Sequence, residues 1–485
     1  MRTRHFAVAA ALLVLGGCNF DILNTNQPTQ DDLVNNPTRI KLSAAATGLF
    51  ASARGGIQGL IWRLGSMGRE GINLSGNNQP DFQEPYFGPV QAGGSFGGTQ
   101  YLDRYAHIRS ANIYLDAIDK APDLSAEEKS ASKGMGKTLK ALAFTYIIET
   151  RAQLGSPVDV DRPASSAPAP FVTEDSVWGY IVGLLDDAQT DLVAAGSADF
   201  PFPVPPGLAA FNTPATFIQF NRALAAKANV FRATAQNGCA GAPATCYAAA
   251  LTALGASFLS TTPADFQTGA YFDFSNGPGD ATNGLSEPLN ALSFYALQDN
   301  RTDAQLQTGG VLLDQRVLDK TVAATDTNIG LFGSIPIAGE LKFAVFFTNG
   351  EADENHGIPI IKDEELILLR AEASWFGGNK AQALTDLDLV RQNSGGLPAT
   401  SLTTGSADSA FVTELLYNRR FSLLWEQGAR WIDARRWGRL ADIPADVPLG
   451  NVAPYMPIPL TECQARNLAT APATNGVITC TPLTP

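Results

Sequence analysis

DEELILLRAEASWFGGNKAQALTDLDLVR, residues 363–391, is the stretch whose reading decides the fold. Leu366, Leu369, Ala373 and Phe376 recur at the three- and four-residue spacing that lines up side chains on one helix face. Ala383, Leu387 and Val390 repeat the pattern after Gly377, Gly378 and Asn379, which turn the chain, so the stretch reads as two helices folded back on one another. Ala371, Gly378 and Ala383 fall where a tetratricopeptide hairpin needs small residues for close helix crossing. The bulky aromatic positions of that repeat are unfilled, which leaves an ordinary antiparallel helix hairpin as the alternative.

Downstream comes NRRFSLLWEQGARWIDARRWG, residues 418–438. On a helix, Arg430 and Asp433 are three apart and can pair, while Trp431 and Arg435 are four apart and can stack. A motif of this kind fixes a helix end against the core, so it is read as a structural signature and not as a ligand site. Upstream, Ser125 and Glu128 form a capping box, and Met135, Leu139, Leu142 and Tyr146 follow at helical spacing until Gly155 and Pro157. Val177, Ile181, Leu184, Ala188 and Leu192 mark a further helix between Thr173 and Gly196, and another runs from about 213 to 235.

The N-terminus gives the compartment. Arg2 and Arg4 precede an apolar run over residues 6–15, and LGGC at 15–18 closes it, which reads as a lipoprotein signal peptide over residues 1–17 with Cys18 as the lipidation site. The run is too short for a permanent membrane helix. A plain cleaved signal with an incidental cysteine is the alternative. Of the five cysteines, the four others form two close pairs, Cys239 with Cys246 and Cys463 with Cys480. In an exported protein such pairs read as disulfides; the rival, a four-cysteine zinc site, lacks any CxxC spacing. The formal charge of −13 becomes −15 once Arg2 and Arg4 leave with the signal. That field repels phosphates, and with no basic cluster, nucleic-acid binding is not expected.

Two stretches rich in Gly, Asn, Pro and aromatics, residues 65–98 and 255–354, read as long irregular loops; loops of that length are usually functional or disordered, and the aromatics argue against disorder. No catalytic constellation is read from the sequence: no nucleophile elbow, no phosphate-cradling loop and no HExxH. His107 lies in a helical pattern and His356 beside acidic loop residues, neither with a partner at metal-ligand spacing. Asp186 and Asp187 read as solvated charges on a helix face, since glycosidase carboxylates must oppose each other across a cleft. No catalytic residue, cofactor or metal is therefore expected.

The two C-terminal segments resemble the SusD/RagB family of outer-membrane nutrient-binding lipoproteins. The family pattern falls on AEA at 371–373, Gly378 and Asn379, Ala383 and Leu384, Val390 and Arg391, Arg419 and Arg420, then Glu426, Gly428, Arg430, Trp431, Asp433 and RRWG at 435–438. Tyr105, Ile108 and Asn112, residues 177–188, and Asp314, Gln315 and Arg316 also look like family features, so with the lipobox the resemblance covers essentially the whole chain. Asn418 replaces the usual Glu, Asp388 replaces the usual Asn, and residues 65–98 match no family pattern.

The resemblance implies a mainly α, tetratricopeptide-like helical-hairpin scaffold of one SusD/RagB-like domain over 18–485. Residues 18–240 would form its N-terminal part and 241–485 its C-terminal part, with long irregular loops as the binding face. It further implies a lipid-anchored protein on the exterior of the outer membrane that passes a glycan, or else a peptide, to a SusC/RagA-type TonB-dependent transporter. Sugar capture needs aromatic faces beside amides and carboxylates. Trp62, Asn77, Asn78, Asp81, Tyr86 and Phe96 supply that chemistry in one segment, and Tyr295 and Arg301 add to it from the second. A surface glycoside hydrolase and a tetratricopeptide-like scaffold that binds only protein are the rival readings.

Overall fold

A computed structural model describes residues 30–75, 79–163, 165–332, 335–445, 452–472 and 475–481. The signal segment, Cys18, Asn77 and Asn78 lie outside the described residues. Helices dominate: α1 Arg39–Arg54, α2 Ile57–Met67, α3 Gln79–Phe87, α4 Thr99–Ile118, α5 Ala126–Arg151, α6 Glu174–Ala194, α7 Pro214–Thr234, α8 Pro243–Gly255, α9 Gln315–Lys320, α10 Asp363–Phe376, α11 Lys380–Asn393, α12 Asp408–Ser422 and α13 Ala429–Arg436.

Their ends follow local chemistry. Ser125 and Glu128 make the reciprocal bonds of a capping box on α5, Thr173 caps α6 through the Ser176 amide, and Thr213 with Thr216 starts α7. Between α10 and α11 the chain turns at Gly378, whose φ of +95° is open to glycine, and Asn379 then caps α11 through the Gln382 amide. Each long helix packs on the next: α4 on α5, α5 on α6, α6 on α7, α7 on α8, α8 on α10 and α10 on α11. α5 and α6 approach closely at Gly134, where a Cβ would meet Leu192 of α6 at 2.5 Å. Arg370 clasps Asp386 across the α10–α11 hairpin at 2.6 Å, and Trp375 stacks on Phe411 with centroids 4.2 Å apart.

The stretches read as irregular contain strands. In the first, β1 Gly71–Asn73 and β2 Val90–Gln91 flank α3; in the second lie β3 Gly269–Phe272, β4 Phe294–Ala296, β5 Thr321–Phe332 and β6 Ile335–Phe343, followed by β7 Ile358–Lys362. Strands β1, β4, β6 and β5 pair antiparallel in that order, while β3 pairs with β7 around a register shift between Ala270 and Tyr271. Near the C-terminus, β8 Ala469–Pro472 pairs with β9 Val477–Thr481, which runs parallel to β2. Buried side chains form a main hydrophobic core that reaches from Leu33 to Cys480, a second under α10, α11 and α12 around Trp375 and Phe411, and a small third around Ile72, Tyr86 and Tyr295.

Cys239 and Cys246 are disulfide-bonded between α7 and α8 with Cα atoms 6.1 Å apart, and Cys463 and Cys480 tie the tail to β9 at 5.5 Å. Among the described residues, no helix is long and apolar enough to cross a membrane.

The C-terminal motif is interior. Trp431 is fully buried, and the Arg435 guanidinium lies 4.6 Å from its ring centre. Asp433, however, does not pair with Arg430. It takes Arg419 at 2.7 Å and Arg436 at 2.8 Å, while Arg430 turns to Asp299 at 3.3 Å. Burial disfavours the Asp433 anion, but the two guanidinium groups outweigh it and hold the carboxyl below its ordinary range. The two single-residue departures from the resembled pattern are absorbed by hydrogen bonds: Asn418 accepts from Arg316 and donates to Glu414, and Asp388 accepts from the Thr400 amide.

Candidate functional site

Where β3, β7, α9 and the segment after β6 converge, they enclose a cleft of about 970 Å³. Half-buried rings of Tyr271, Phe347 and His356 line it, beside the exposed amides of Gln267, Asn355 and Asn393. The local sequence explains the presentation. β3 alternates half-buried and buried residues, so Ala270 and Phe272 enter the core and Tyr271 faces outward, and the bulge beside Tyr271 turns that position further. Tyr271 donates its hydroxyl proton to the Gln267 carbonyl, and burial raises its phenol above the ordinary value. His356 donates through Nδ1 to the Gly357 carbonyl at 2.9 Å and sets its ring edge-on to Phe346.

Charges form the floor. Glu426, from the C-terminal motif, lies between Lys320 at 2.7 Å and Lys362 at 2.8 Å. Burial opposes the Glu426 anion, yet the two ammonium groups prevail and keep its carboxyl below the usual range. Lys320 is lowered, chiefly by burial, whereas for Lys362 the carboxylates of Glu426 and Glu364 outweigh burial and raise it. Glu364 accepts from Ser422 at 2.6 Å and Gln267 at 3.4 Å. Each buried carboxylate is thus committed to a fixed partner. What remains open to a ligand is a polar wall of rings and amides, an arrangement suited to holding a hydroxylated molecule.

The residues singled out from sequence do not meet there. Trp62 is 7% exposed, with Phe96 edge-on at 5.8 Å and the Arg63 guanidinium 4.2 Å over its ring. Phe96, Tyr86 and Tyr295 have no exposed surface. Arg69 covers the Tyr86 ring at 4.0 Å, Lys342 covers Tyr295 at 4.5 Å, and Asp81 accepts from Asn73 at 3.3 Å. Arg301 is spent on Thr321, through Nε at 3.0 Å and a second nitrogen at 2.8 Å. The expected aromatic binding face is therefore corrected for Trp62, Tyr86 and Phe96, whose rings are core; Trp62 is buried on α2 with Leu60, Ile61 and Leu64.

Sequence reasoning missed Tyr271, Phe347, Lys320, Lys362 and Glu426. His356 drew notice only as a loop histidine, and Glu426 only as part of the motif. No sequence signal marked the strand: Gly269–Phe272 alternates in burial but not in residue type. His107, by contrast, is structural as read: it is buried against Ser52 at 2.7 Å, and burial lowers it to about 4. Asp186 and Asp187 are exposed, and Asp186 pairs with Arg222.

No family model matches the chain, and no curated protein matches it in sequence. Solved structures match its fold: a SusD superfamily protein from Parabacteroides distasonis at 17% identity and TM-score 0.64, over 87% of this chain and 97% of that one; a SusD-like carbohydrate binding protein from Bacteroides fragilis at 14% and 0.63, over 85% and 88%; and a laminarin binding SusD-like protein at 15% and 0.58, over 88% and 98%. The chain has the helical SusD-like fold that its C-terminal motifs imply.

Proposed function

We propose that the protein captures a glycan in the Tyr271 cleft without changing it, and hands it to a SusC/RagA-type TonB-dependent transporter. It does so from the outer face of the outer membrane, held by lipid on Cys18. The observation that carries this reading is the cleft itself, in which half-buried rings stand beside solvent-exposed amides that keep hydrogen-bonding capacity beyond their internal bonds, over a fixed ionic floor. Sugar rings present apolar CH faces to aromatics and hydroxyls to amides, so the wall fits that chemistry. Likeness in fold to a laminarin binding protein and to a carbohydrate binding protein supports it. Hydrolysis is disfavoured because Glu426 is locked by two lysines and Glu364 by Ser422 and Gln267, which leaves neither poised as acid or nucleophile.

Calorimetric titration of the mature protein with a panel of oligosaccharides and peptides tests the reading. Saturable binding of an oligosaccharide, recovered intact afterwards, is expected. Turnover of the ligand would restore the hydrolase reading, and peptide binding alone would change the ligand class. Cys18→Ala should move the protein from the membrane to the soluble fraction; unchanged fractionation would refute the anchor.

A further inference from the structure

A second depression of about 300 Å³ opens beside the cleft, and Pro206, Tyr271 and Asp273 line both. Its chemistry is the opposite. Phe50, Leu139, Leu208, Phe272 and Ile360 form its wall, all of them buried, and Thr47 and Ala51 stand one helical turn apart on α1 as exposed residues of its lining. The cation that lines it is already engaged: Arg54 donates to the Asp273 carbonyl and to Asp280, and its guanidinium sits 5.2 Å from the Phe274 ring. A sugar placed here would leave hydroxyls without partners, a penalty that excludes the glycan from this half of the site.

We infer that the pocket receives an aryl substituent carried by the glycan in the adjoining cleft, so that the ligand is an aryl glycoside or an aromatic ester of an oligosaccharide. This rests on the cleft reading above and names the ligand class for the same site. The match rests on the shared walls: Pro206, Tyr271 and Asp273 line both chambers, so a ligand held at that boundary in the cleft lies against the rim of the apolar pocket. The volume suits a single ring with a short linker, and the phenylalanine and leucine walls give that ring contact without asking it for hydrogen bonds.

The experiment uses paired p-nitrophenyl and methyl glycosides of the same gluco- and xylo-oligosaccharides, titrated into the mature protein and into Ala51→Trp. Ala51 is exposed and lines only the apolar pocket, so a tryptophan there fills it and leaves the cleft walls in place. Melting curves check the fold, and Thr47→Trp repeats the test from the neighbouring turn should Ala51→Trp fail to fold. Wild-type protein should bind the aryl member about tenfold more tightly than the methyl member, and the tryptophan variant should lose that advantage while keeping its affinity for the methyl glycoside. Equal affinity of the pair in wild type would overturn the aryl pocket and leave the cleft reading standing. An aryl advantage that survives both plugs would place the ring elsewhere and overturn it too. Failure of every glycoside to bind would remove the cleft reading and this inference together.

Discussion

Residues 62–96 and the walls of the Tyr271 cleft are built from the same vocabulary, rings beside amides and acids, and the fold uses them in opposite ways. In the first region the rings of Trp62, Tyr86 and Phe96 each have another side chain on them: Phe96 against Trp62, Arg69 over Tyr86. In the second, Tyr271, Phe347 and His356 keep part of their surface in solvent. What separates them is the element behind the ring. Trp62 sits on the buried stripe of a helix, whereas Tyr271 sits on the outward phase of a short strand beside a bulge. A ring becomes a ligand platform only when its own element turns it away from the core.

The sharpest way to break this contrast is Trp62→Ala. As a core ring touching Phe96 and Phe294, its removal should destabilise the fold by about 4 kcal/mol, read from urea or thermal unfolding. Glycan affinity of the molecules that remain folded should be unchanged. A stable variant with lost binding would return the site to 62–96.

Asp433→Ala extends the test to the C-terminal motif. Arg419 and Arg436 would lose a buried partner but keep Glu365 and Glu372, so the expected loss is about 3 kcal/mol, near the lower end for a broken buried pair. Loss of ligand binding at undiminished stability would show that the motif serves the site directly.

Much of the scaffold was legible because its signals are local. The capping box at Ser125 and Glu128, the Thr173 and Thr213 caps, the glycine turn at Gly378 and the Trp431–Arg435 stack each lie within a few residues of chain. Spacing failed where a partner came from far away. Arg430 and Asp433 were placed for an i,i+3 pair, yet Arg430 found Asp299, 131 residues distant, and Asp433 found Arg419. The cleft is non-local throughout: Tyr271, Lys320, His356 and Glu426 come from four separated segments, and no window of sequence holds two of them. Composition identified the second long stretch as unusual but gave no means of telling its outward rings from its inward ones.

Glu70, in the first region, binds the C-terminal motif next to Glu426 and makes a pH test. Its carboxylate accepts the backbone amides of Trp425 and Arg430, and burial, partly offset by those bonds, raises it from 4.5 to about 6. The folded state therefore holds this proton more tightly than the unfolded chain. The stabilisation is fully present below pH 4.5 and is lost as pH rises through 6, a contribution of about 2 kcal/mol. Unfolding free energies measured from pH 4 to 7 should show that decline, and Glu70→Gln should flatten it. Parallel profiles for the two proteins would mean that folding leaves the carboxyl's hold on its proton unchanged.

Tyr271→Ala gives the smallest expected effect on the fold and the one that separates the regions most directly. The side chain is half-buried at the cleft wall, its hydroxyl bonds a neighbouring carbonyl, and the pairing of β3 with β7 runs through backbone groups that alanine retains. Stability should fall by only about 1 kcal/mol, far less than for Trp62, because much of the ring already faces water. Binding should fall more than stability: a sugar stacked on the ring loses its platform, and about 1 kcal/mol or more of lost stacking is a several-fold rise in Kd. Tyr271→Phe provides the control, since it keeps the ring face and removes only the hydroxyl. It should retain most of the affinity if stacking carries the contact, and should match alanine if a hydrogen bond does. Calorimetry on both variants, set beside their melting curves, decides between the two, and unchanged affinity in Tyr271→Ala would show that the cleft wall is not the sugar platform.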